Sequence, residues 1–500
     1  MKNRQVKMGA ILSYLLIVLN TMYGLFLTPY IVGSIGEAEY GVYKSISSLT
    51  TSIMVLDLGL GGTVLRYIAK FRATNEDEKI PNFVAMSLIQ ALMMCGVIII
   101  VAVVLYQTIE SAYSATFSSE QIIKAQSLFW LLIVNVVMHV IENVVNGVIT
   151  GFNRFDIGNG VKVLRLIMRV ALIYLLLNFY KDSIVIVLVD IWVTFLFLIV
   201  ESCYVKKCLK ISIKLTHWER SLFIESGKYT MLMFLTSVAA QVNNNLDNVF
   251  IGAVNGPTYV AVYSFGLLIF GMFEQLSTAI SGVMLPTVSA LLEKKNGMHE
   301  VQNLIIRVGR VQFMLLGATF AGFVCVGKEF IALWLGHGYE DVYVITLILM
   351  GPALFELCVN VCLSILRARN MLEFRTFVLV ATTALNAIVT YVAIKEWSYI
   401  GAAVGTAVSF IIGSLIIMNI YYIFKLKLPI LKIYRCIVGR TWVCLMFASF
   451  ALCMYKRVLN GTLLPLLCGC ALFLIVFIAG MLMYGFNTEE RRIFKVGGAK

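Results

Sequence analysis

The sequence predicts an all-α polytopic membrane protein, and three observations carry that prediction: composition, the length of the apolar runs and the placement of positive charge. Apolar residues make up 60% of the 500-residue chain and charged residues only 13%. Soluble domains contain about 25% charged residues, so this chain has too few charges to solvate a globular surface of its size. We therefore expect lipid to cover most of that surface.

Fourteen apolar runs are long enough to cross a bilayer, because a spanning helix needs about 20 mostly apolar residues. Six come first, at residues 8–32, 42–70, 82–107, 122–150, 157–179 and 184–205. Eight follow, at 226–252, 258–285, 307–327, 342–366, 375–394, 398–424, 437–455 and 461–486. The first run is too long for a signal-peptide core and precedes no small-residue cleavage site, so we expect it to remain in the mature protein.

Positive charge lies almost entirely on one side of these runs. When each of the forty Lys and Arg residues is assigned to the nearer end of a run, all but seven fall on the same side. The seven are Lys44, Lys124, Lys181, Lys328, Lys395, Lys456 and Arg457. By the positive-inside rule the basic side is the cytoplasm. We expect a multi-pass protein of the plasma membrane with both termini in the cytoplasm, and the net charge of +13 then requires no nucleic acid partner.

The parts of the chain outside the runs offer little room for chemistry. The longest polar stretches, 206–225 and 291–303, are too short to fold as domains. The eleven cysteines lie mostly inside apolar runs without metal-ligand spacing, so we interpret them as small core residues and expect no metal site. The phosphate-cradling Gly-x-x-x-x-Gly-Lys-Ser/Thr motif is absent from the sequence, so ATP is not the expected energy source and no organic cofactor is expected.

A short internal repeat predicts a duplication. Gly36 and Tyr43 in the segment between runs 1 and 2 are spaced like Gly256 and Tyr263 between runs 7 and 8, at an offset of 220 residues. A duplicated six-helix unit enters the membrane in the same orientation twice, which predicts two lobes related by a pseudo-two-fold axis along the membrane normal. The predicted parts are an N-terminal lobe at 1–205, a cytoplasmic amphipathic linker at 206–225, a second lobe at 226–424, and helices 13 and 14 with a cytoplasmic tail at 425–500.

Run 5 carries three cations at helical spacing, Lys162, Arg165 and Arg169, which we call the basic ladder. A charge at the bilayer centre costs several kcal/mol, so these side chains should face the bundle interior. One interpretation is a site for an anionic headgroup, since guanidinium groups bind phosphate oxygens bidentately. The alternative is structural pairing with carboxylates of neighbouring runs, namely Glu142, Asp190 or Glu201.

Runs 4 and 7 carry polar stripes. The stripe of run 4 contains His139, Glu142, Asn143 and Asn146, and that of run 7 contains Gln241, Asn244, Asn245 and Asn248. Amide groups both donate and accept hydrogen bonds, so they suit sugar hydroxyls in a cavity. They equally suit hydrogen bonds between helices, and the sequence leaves both interpretations open.

Run 2 combines a carboxylate with three glycines. Asp57 precedes Gly59, Gly61 and Gly62, and Gly costs about 1 kcal/mol relative to Ala in a helix interior. We expect a local break, close packing, or both. A carboxylate in a low-dielectric interior can carry a proton near neutral pH. Three carboxylates are therefore candidates for coupling transport to H⁺ or Na⁺: Asp57, Asp247 and Glu274.

These motifs resemble the polysaccharide flippases of the Wzx type in the multidrug/oligosaccharidyl-lipid/polysaccharide (MOP) exporter superfamily. The matching segments are Asp57-x-Gly-Leu-Gly61 with Arg66, Leu246-Asp247-Asn-Val-Phe-Ile-Gly252 with Tyr263, and Gly401-Ala-Ala-Val-Gly405-Thr-Ala-Val-Ser409. With fourteen spans, the resemblance covers essentially the whole chain. One position departs from it, because Asn248 stands where a basic residue often follows the Asp.

The resemblance implies two six-helix lobes around a central cavity, with the final helix pair contributing to a groove for a lipid tail. It implies a transporter rather than an enzyme, which flips an oligosaccharide repeat unit on undecaprenyl pyrophosphate to the outer leaflet by alternating access. The product would be lipopolysaccharide or capsule, and a polysaccharide polymerase and chain-length proteins would be partners. The pyrophosphate would bind the basic ladder and Arg66, while the two polar stripes would hold the sugar.

Three other functions stay open at this point. A lipid II flippase has the same architecture and an Arg-rich cavity. A multidrug or cation antiporter of the same superfamily would favour acidic and aromatic residues and commonly has twelve spans. A membrane polymerase or ligase acting on the same lipid-linked sugar would carry a long outer loop, whereas the outer loops here are short.

Overall fold

Helices account for almost all of the chain that the structure describes. The computed structural model describes residues 15–54, 60–211, 213–281, 284–293, 297–369, 371–455 and 463–487, together with Met8 and Leu12, and within helix 220–254 it leaves the side chains of 228–229 and 231–244 undescribed. No β-strand occurs in those ranges. The predicted all-α class is confirmed.

Nine helices occupy the first half of the chain. They are α1 Leu15–Ile35, α2 Glu37–Met54, α3 Leu60–Ala73, α4 Ile80–Tyr113, α5 Ser119–Gly151, α6 Phe155–Leu177, α7 Ser183–Lys207, α8 Arg220–Val254 and α9 Pro257–Ser281. Nine more follow. They are α10 Leu285–Leu292, α11 Gly297–Leu335, α12 Glu340–Cys358, α13 Val361–Ala368, α14 Glu373–Trp397, α15 Ile400–Leu426, α16 Ile430–Val438, α17 Thr441–Tyr455 and α18 Leu463–Gly485.

Each of the fourteen predicted runs is mostly helical where the structure describes it. Ten helices are long and apolar enough to cross a membrane, and α16 with α17, bent by 41°, gives up to eleven. The other three runs correspond to α2 with α3, to α6 and to α8. The three cations of the basic ladder set α6 apart from these ten helices. With ten or eleven helices able to span a bilayer among the described residues, the chain is a multi-pass membrane protein.

By contacts the chain divides into two compact units, Met1–Ala261 and Val262–Lys500. The boundary lies inside α9 and not in the predicted linker at 206–225. The reason is that α8, which the sequence assigns to the second lobe, packs against α2, α3 and α4 of the first unit. The predicted lobe boundaries stay predictions, and the first and second units are those that the contacts define.

The predicted linker is an exposed strap between α7 and α8. Residues 208–211 and 213–219 lie outside helices, and the backbone N–H groups of Thr216 and His217 donate to Asn82 Oδ1 of α4 at 3.0 and 3.3 Å. Trp218 is 50% exposed, and its ring lies 4.8 Å from that of Phe223. This exposure suits a Trp side chain that lies among lipid headgroups.

Side-chain caps begin the two helices that matter most for the site. Before α5, Ser118 Oγ accepts from Gln121 N at 3.3 Å and Gln121 Oε1 accepts from Ser118 N at 3.0 Å, which is a capping box. Before α7, Asp182 Oδ1 accepts from Ile184 N at 2.8 Å. Because these bonds satisfy backbone donors that a helix start leaves unpaired, they fix where each helix begins.

Glycines bring α5 against α3. A Cβ atom on Gly147 would lie 2.7 Å from the carbonyl oxygen of Gly61, and one on Gly151 would lie 2.9 Å from Ile68 Cβ. Gly147 and Gly151 are four residues apart on α5, the spacing that lets two membrane helices approach closely. The close packing predicted at Gly61 is confirmed, whereas the predicted break beside Asp57 lies outside the described residues.

The two copies of the internal repeat have the same local backbone. Gly36 and Gly256 both have positive φ, 88° and 103°, and α2 and α9 each begin one residue later. Tyr43 and Tyr263 are both buried, at 8% and 0% exposure. Glycine is the residue that adopts positive φ without strain, so the match supports the predicted duplication.

In the second unit the tenth predicted span is broken. Its two helices, α12 and α13, are separated by Val359 and Asn360, and α12 contains Pro352. Ser277 Oγ of α9 donates to the carbonyl oxygen of Leu357 at 3.4 Å. Gln312 Nε2 of α11 donates to Ser277 Oγ at 2.9 Å. The break therefore has side-chain partners, as irregular backbone within a membrane protein requires.

The glycine contact of α3 with α5 gives a prediction for stability. Gly147→Ala places a methyl group against the Gly61 carbonyl, so we expect it to destabilise the fold by about 1–3 kcal/mol through overpacking. Gly62→Ala on α3 is the matched control, because a Cβ there meets nothing within 4 Å. Thermal melting of both purified variants in detergent measures the difference. Equal melting temperatures for the two variants would contradict the close approach.

Candidate functional site in the first unit

A row of charged and polar side chains fills the space between α5, α6 and α7. We call it the charged column, and its members are His139, Glu142 and Asn146 of α5, Lys162, Arg165 and Arg169 of α6, and Asp190, Thr194 and Glu201 of α7. The α7 members are spaced by four and seven residues, which places them on one face of the helix. The sequence indicated Asp190 and Glu201 only as partners of the ladder, and the stripe they form with Thr194 is a finding of the structure.

Arg169 is paired with a carboxylate of α7. Its Nε and Nη2 atoms donate to the two oxygens of Asp190, with 3.0 Å between Nη2 and Oδ2. The ring of Tyr23 from α1 lies 5.0 Å from the guanidinium carbon, close enough for a cation–π contact. Arg169 is 23% exposed and Asp190 14%, so the pair is shielded from solvent by the helices around it.

Arg165 pairs with α5. Its Nη2 atom donates to Glu142 Oε1, and Glu142 Oε2 lies 3.1 Å from His139 Nδ1. His139 Nε2 lies 3.5 Å from Thr194 Oγ1 on α7, and the guanidinium carbon of Arg165 lies 5.6 Å from the ring centre of Phe197. One connected group thus joins all three helices, and the alternative prediction of ion pairs with Glu142 and Asp190 is confirmed.

The column continues toward the end of α7. Asn146 Nδ2 donates to Glu201 Oε1 at 3.2 Å, and Glu201 is only 1% exposed. Its carboxylate interacts electrostatically with Lys162 and Arg165. Lys162 itself is exposed, so it is the ladder cation that solvent or a ligand reaches first.

Ion pairs also close both ends of the three helices. At one end Lys124 Nζ lies 2.8 Å from Glu39 Oε1 and 3.1 Å from Asp182 Oδ2. At the other end Arg154 Nε lies 3.1 Å from Asp156 Oδ1, and its Nη2 lies 3.2 Å from Oδ2. Hydrogen bonds to Asp156 raise the pKa of the Arg154 guanidinium. Both ends are therefore held by charge-assisted contacts.

A further cation stands beside Arg169. Lys44 of α2 is an electrostatic neighbour of Arg169, and its Nζ atom lies 5.7 Å from the ring centre of Tyr40. From the sequence, Lys44 counts only among the charges on the non-cytoplasmic side. The structure adds its electrostatic interaction with Arg169, whose one paired carboxylate is Asp190.

An apolar groove runs beside this level between α1 and α6. It has a volume of about 650 Å³, and Tyr23, whose ring covers Arg169, is part of its lining with Phe26 and Leu166. A second apolar groove of about 820 Å³ lies along α5, α6 and α7 and includes Leu172 and Trp192. Both volumes fall in the range of roughly 300–1,000 Å³ that ligand sites occupy.

The other predicted site residues are placed as follows. Arg66 is exposed on α3, and Asn143 is half-buried where α5 meets Gly61. Asn245 is half-buried, and Asp247 is 2% exposed. Glu274 is half-buried on α9 and interacts electrostatically with Glu356. Asp57 and the side chains of Gln241 and Asn244 lie outside the described residues, and a metal-binding group of three or more His, Cys, Asp or Glu residues is not found in the part described.

The polar face of α8 forms a seam with α2, α3 and α4. Four side-chain pairs bridge it: Asn248 with Ser48 at 2.9 Å, Thr230 with Thr63 at 2.9 Å, Glu225 with Tyr67 at 2.9 Å, and Ser226 with Gln90 at 3.0 Å. For Asn248, 6% exposed, this contact favours the interpretation as a hydrogen bond between helices. Sugar binding by that residue stays a prediction.

Comparisons with known proteins agree with this geometry. Residues 6–292 match the family described as "Polysaccharide biosynthesis protein". The chain is 23% identical over 415 residues to "Probable flippase AglR" of Haloferax volcanii, covering 80% of each protein. It is 22% identical over 197 residues to "Probable low-salt glycan biosynthesis flippase Agl15" of the same organism, covering 39% of this chain and 41% of that protein.

Two groups of solved structures share the fold. "Lipid II flippase MurJ, inward closed conformation" superimposes with a TM-score of 0.73 over 97% of this chain and 99% of the other, at 13% identity. An inward-facing multidrug resistance transporter of the MATE family in the MOP superfamily gives a TM-score of 0.64, covering 81% and 96%, at 16% identity. At such identities the likeness concerns the fold alone.

The polytopic helical fold defines the class, because this chain shares it with membrane transporters of known structure. More particularly, the chain belongs to the polysaccharide biosynthesis protein family, since more than half of it matches that family. Both Haloferax relatives are named as flippases. The resemblance that the motifs predicted is confirmed.

Proposed function

We propose that this protein is a flippase of the MOP superfamily, and that it moves an oligosaccharide linked to undecaprenyl pyrophosphate from the cytoplasmic to the outer leaflet of the plasma membrane, with both termini in the cytoplasm. The observation that carries the proposal is the set of three cations, Lys44, Arg165 and Arg169, held inside the first unit against two carboxylates, Glu142 and Asp190. A polysaccharide polymerase and chain-length proteins would use the flipped product.

The chemistry of such a substrate explains why a protein is needed. Each sugar hydroxyl that entered hydrocarbon would lose its hydrogen bonds to water, at a cost of several kcal/mol. The pyrophosphate carries charge, for which the cost is larger still. The prenyl chain has no such cost and remains in an apolar environment throughout. The protein must therefore present a polar path to one end of the substrate only.

The charged column supplies the anion site. Arginine binds a carboxylate and a phosphate with the same planar pair of donors, so a pyrophosphate can replace Asp190 on Arg169 without moving the guanidinium. Lys44, which interacts electrostatically with Arg169, would supply a second cation for the second phosphate. Lys162 is exposed and makes the first contact, with Arg66 on α3 as a second exposed cation.

The prenyl chain has a place next to this anion site. The apolar groove between α1 and α6 reaches Tyr23, whose ring lies over Arg169. A lipid whose pyrophosphate binds Arg169 could therefore place its prenyl chain in the adjoining groove. The sugar would then extend toward His139, Asn143 and Asn146 on α5, and toward Gln241, Asn244, Asn245 and Asn248 on α8.

Alternating access requires a contact that can separate. The seam of α8 with α2, α3 and α4 includes four hydrogen bonds between side chains. Such bonds contribute about 0.6 kcal/mol each on average in membrane helices. A seam of this kind holds one state closed yet opens at low cost, which is what a transport cycle needs.

Reversing the Arg169–Asp190 pair separates transport from folding. Arg169→Gln removes a charge-assisted bidentate contact, so we expect transport of the lipid-linked oligosaccharide into vesicles to fall more than tenfold. The double variant Arg169→Asp with Asp190→Arg restores an ion pair but moves the cation to α7. We expect it to restore protein level and melting temperature but not transport.

The matched control is Arg154→Gln, because Arg154 also binds a carboxylate bidentately but lies between α5 and α6 outside the spans. It should transport at nearly the wild-type rate. A reversed Arg169–Asp190 pair with wild-type transport would show that the pair is structural only. Supplying lipid II in the same vesicles distinguishes the second substrate class, and we expect the lipid-linked oligosaccharide to be preferred.

Ion coupling is the second part of the proposal. Two carboxylates of the second unit, Glu274 on α9 and Glu356 on α12, interact electrostatically. Neighbouring carboxylates in a low-dielectric interior can share one proton or hold one Na⁺. Asp247, buried on α8, and Asp57 are the other candidates.

Glu274→Gln tests the coupling. The neutral amide cannot release a proton, so we expect transport driven by an imposed proton or sodium gradient to fall to the rate without a gradient. Glu373→Gln, at the exposed start of α14, is the control and should keep the response. Wild-type transport that ignores both gradients would refute ion coupling altogether.

A further inference from the structure

A cleft at one end of the first unit combines an apolar floor with a basic rim. Its volume is about 570 Å³, and it lies between α4, α5, the end of α7 and the strap that follows. The floor is formed by Val84 and Leu88 of α4, Val144, Val145 and Val148 of α5, and Val205 of α7. The rim carries Ser202, Lys206 and Lys210.

The two rim cations are available for a ligand. Lys206 and Lys210 are exposed, and neither forms an ion pair with any residue in the described ranges. Lys207 and Lys214, also exposed, follow the same pattern along the strap. Four ammonium groups within nine residues make this end of the unit attractive to anions. None of the four belongs to the basic ladder or to the charged column.

The strap is built to hold this position. Lys210 has φ 56°, a left-handed backbone conformation that turns the chain after α7, and the N–H of Ile211 donates to the carbonyl oxygen of Val205 at 3.3 Å. Ile211 is thereby 7% exposed against the cleft, while Ile213 and Leu215 remain 52% and 49% exposed. Exposed apolar side chains that alternate with lysines are typical of a segment lying in the headgroup region.

We propose that this cleft binds an anionic phospholipid of the leaflet on its side of the membrane. The phosphate lies between Lys206 and Lys210, and an acyl chain lies on the valine floor. The charge of the rim selects against zwitterionic lipids, because basic pockets between membrane helices attract anionic headgroups. The site is distinct from the charged column, so the proposal does not depend on the substrate that the protein flips.

The second unit offers a matched control for the cations. Lys427 follows α15 as Lys210 follows α7, with φ 54°, and Lys425 lies two residues before it in the last turn of α15. Both are exposed. Asn tolerates the left-handed backbone conformation of Lys210 and Lys427. Replacing either lysine by Asn therefore removes the charge without adding backbone strain, so variants at the two places can be compared directly.

The experiment is native mass spectrometry of the purified full-length protein in detergent, titrated with phosphatidylglycerol or with phosphatidylcholine of the same acyl chains. We expect the wild-type protein to retain phosphatidylglycerol preferentially. The variant Lys206→Gln with Lys210→Asn should retain it about tenfold less, as expected for the loss of two cations near an anionic headgroup. The variant Lys425→Gln with Lys427→Asn should behave as wild type.

A second variant tests the apolar half of the site. Ser202→Trp fills the cleft from its exposed rim without changing charge, and we expect it to reduce retention of phosphatidylglycerol while the melting temperature stays unchanged. Equal retention by wild type and the Lys206/Lys210 variant would overturn the proposal. So would equal loss in both lysine variants, which would indicate a general charge effect, or full retention by Ser202→Trp.

Discussion

The structure of the first unit depends on one constraint, the compensation of the guanidinium groups that α6 carries into the membrane. A lone charge there would be unfavourable by several kcal/mol, and neither Arg165 nor Arg169 is left alone. Glu142 on α5 and Asp190 on α7 provide one carboxylate for each. These pairs therefore determine how the three helices are rotated against one another, since any other rotation would separate a cation from its partner.

The same pairing supports the proposed transport function. An ion pair that is only a structural contact would be replaced without loss by well-packed apolar residues of similar volume. Here the Arg165–Glu142 pair is connected to His139 and Thr194, and Asn146 binds Glu201 further along, so the charged column extends along α7 for several turns. Under the proposed function, an anionic ligand that replaced one carboxylate would find donors already oriented. The released carboxylate would remain close by for the return of the empty protein.

The sequence predicted the fold and the chemical character of the site well, because both depend on local patterns. The lengths of apolar runs predicted all fourteen helical segments, and helical spacing placed the basic ladder on one face of α6. The same spacing on α7 was overlooked, since Asp190 and Glu201 are eleven residues apart and only Thr194 and the aromatic residues between them complete the stripe. Lys44 was counted by membrane side, and nothing local to run 2 indicates that it meets Arg169.

Other features could not follow from sequence because they depend on which helices meet. The packing of α8 on α2, α3 and α4 moved the contact boundary into α9, although the polar composition of run 7 had been noted. The close approach at Gly61 was predicted from glycine content, but its partner Gly147 is known only from the fold. The break in the tenth span needs Ser277 and Gln312 from two other helices, so Pro352 alone did not indicate it.

The most direct test of the account is a double-mutant cycle on Arg165 and Glu142, read as thermal stability of the purified protein. Arg165→Gln or Glu142→Gln alone leaves one charge uncompensated, and we expect each to cost about 3–5 kcal/mol. Both together remove the charge completely, so the double variant should be more stable than either single variant. Additive losses in the double variant would contradict the claim that charge compensation organises α5, α6 and α7.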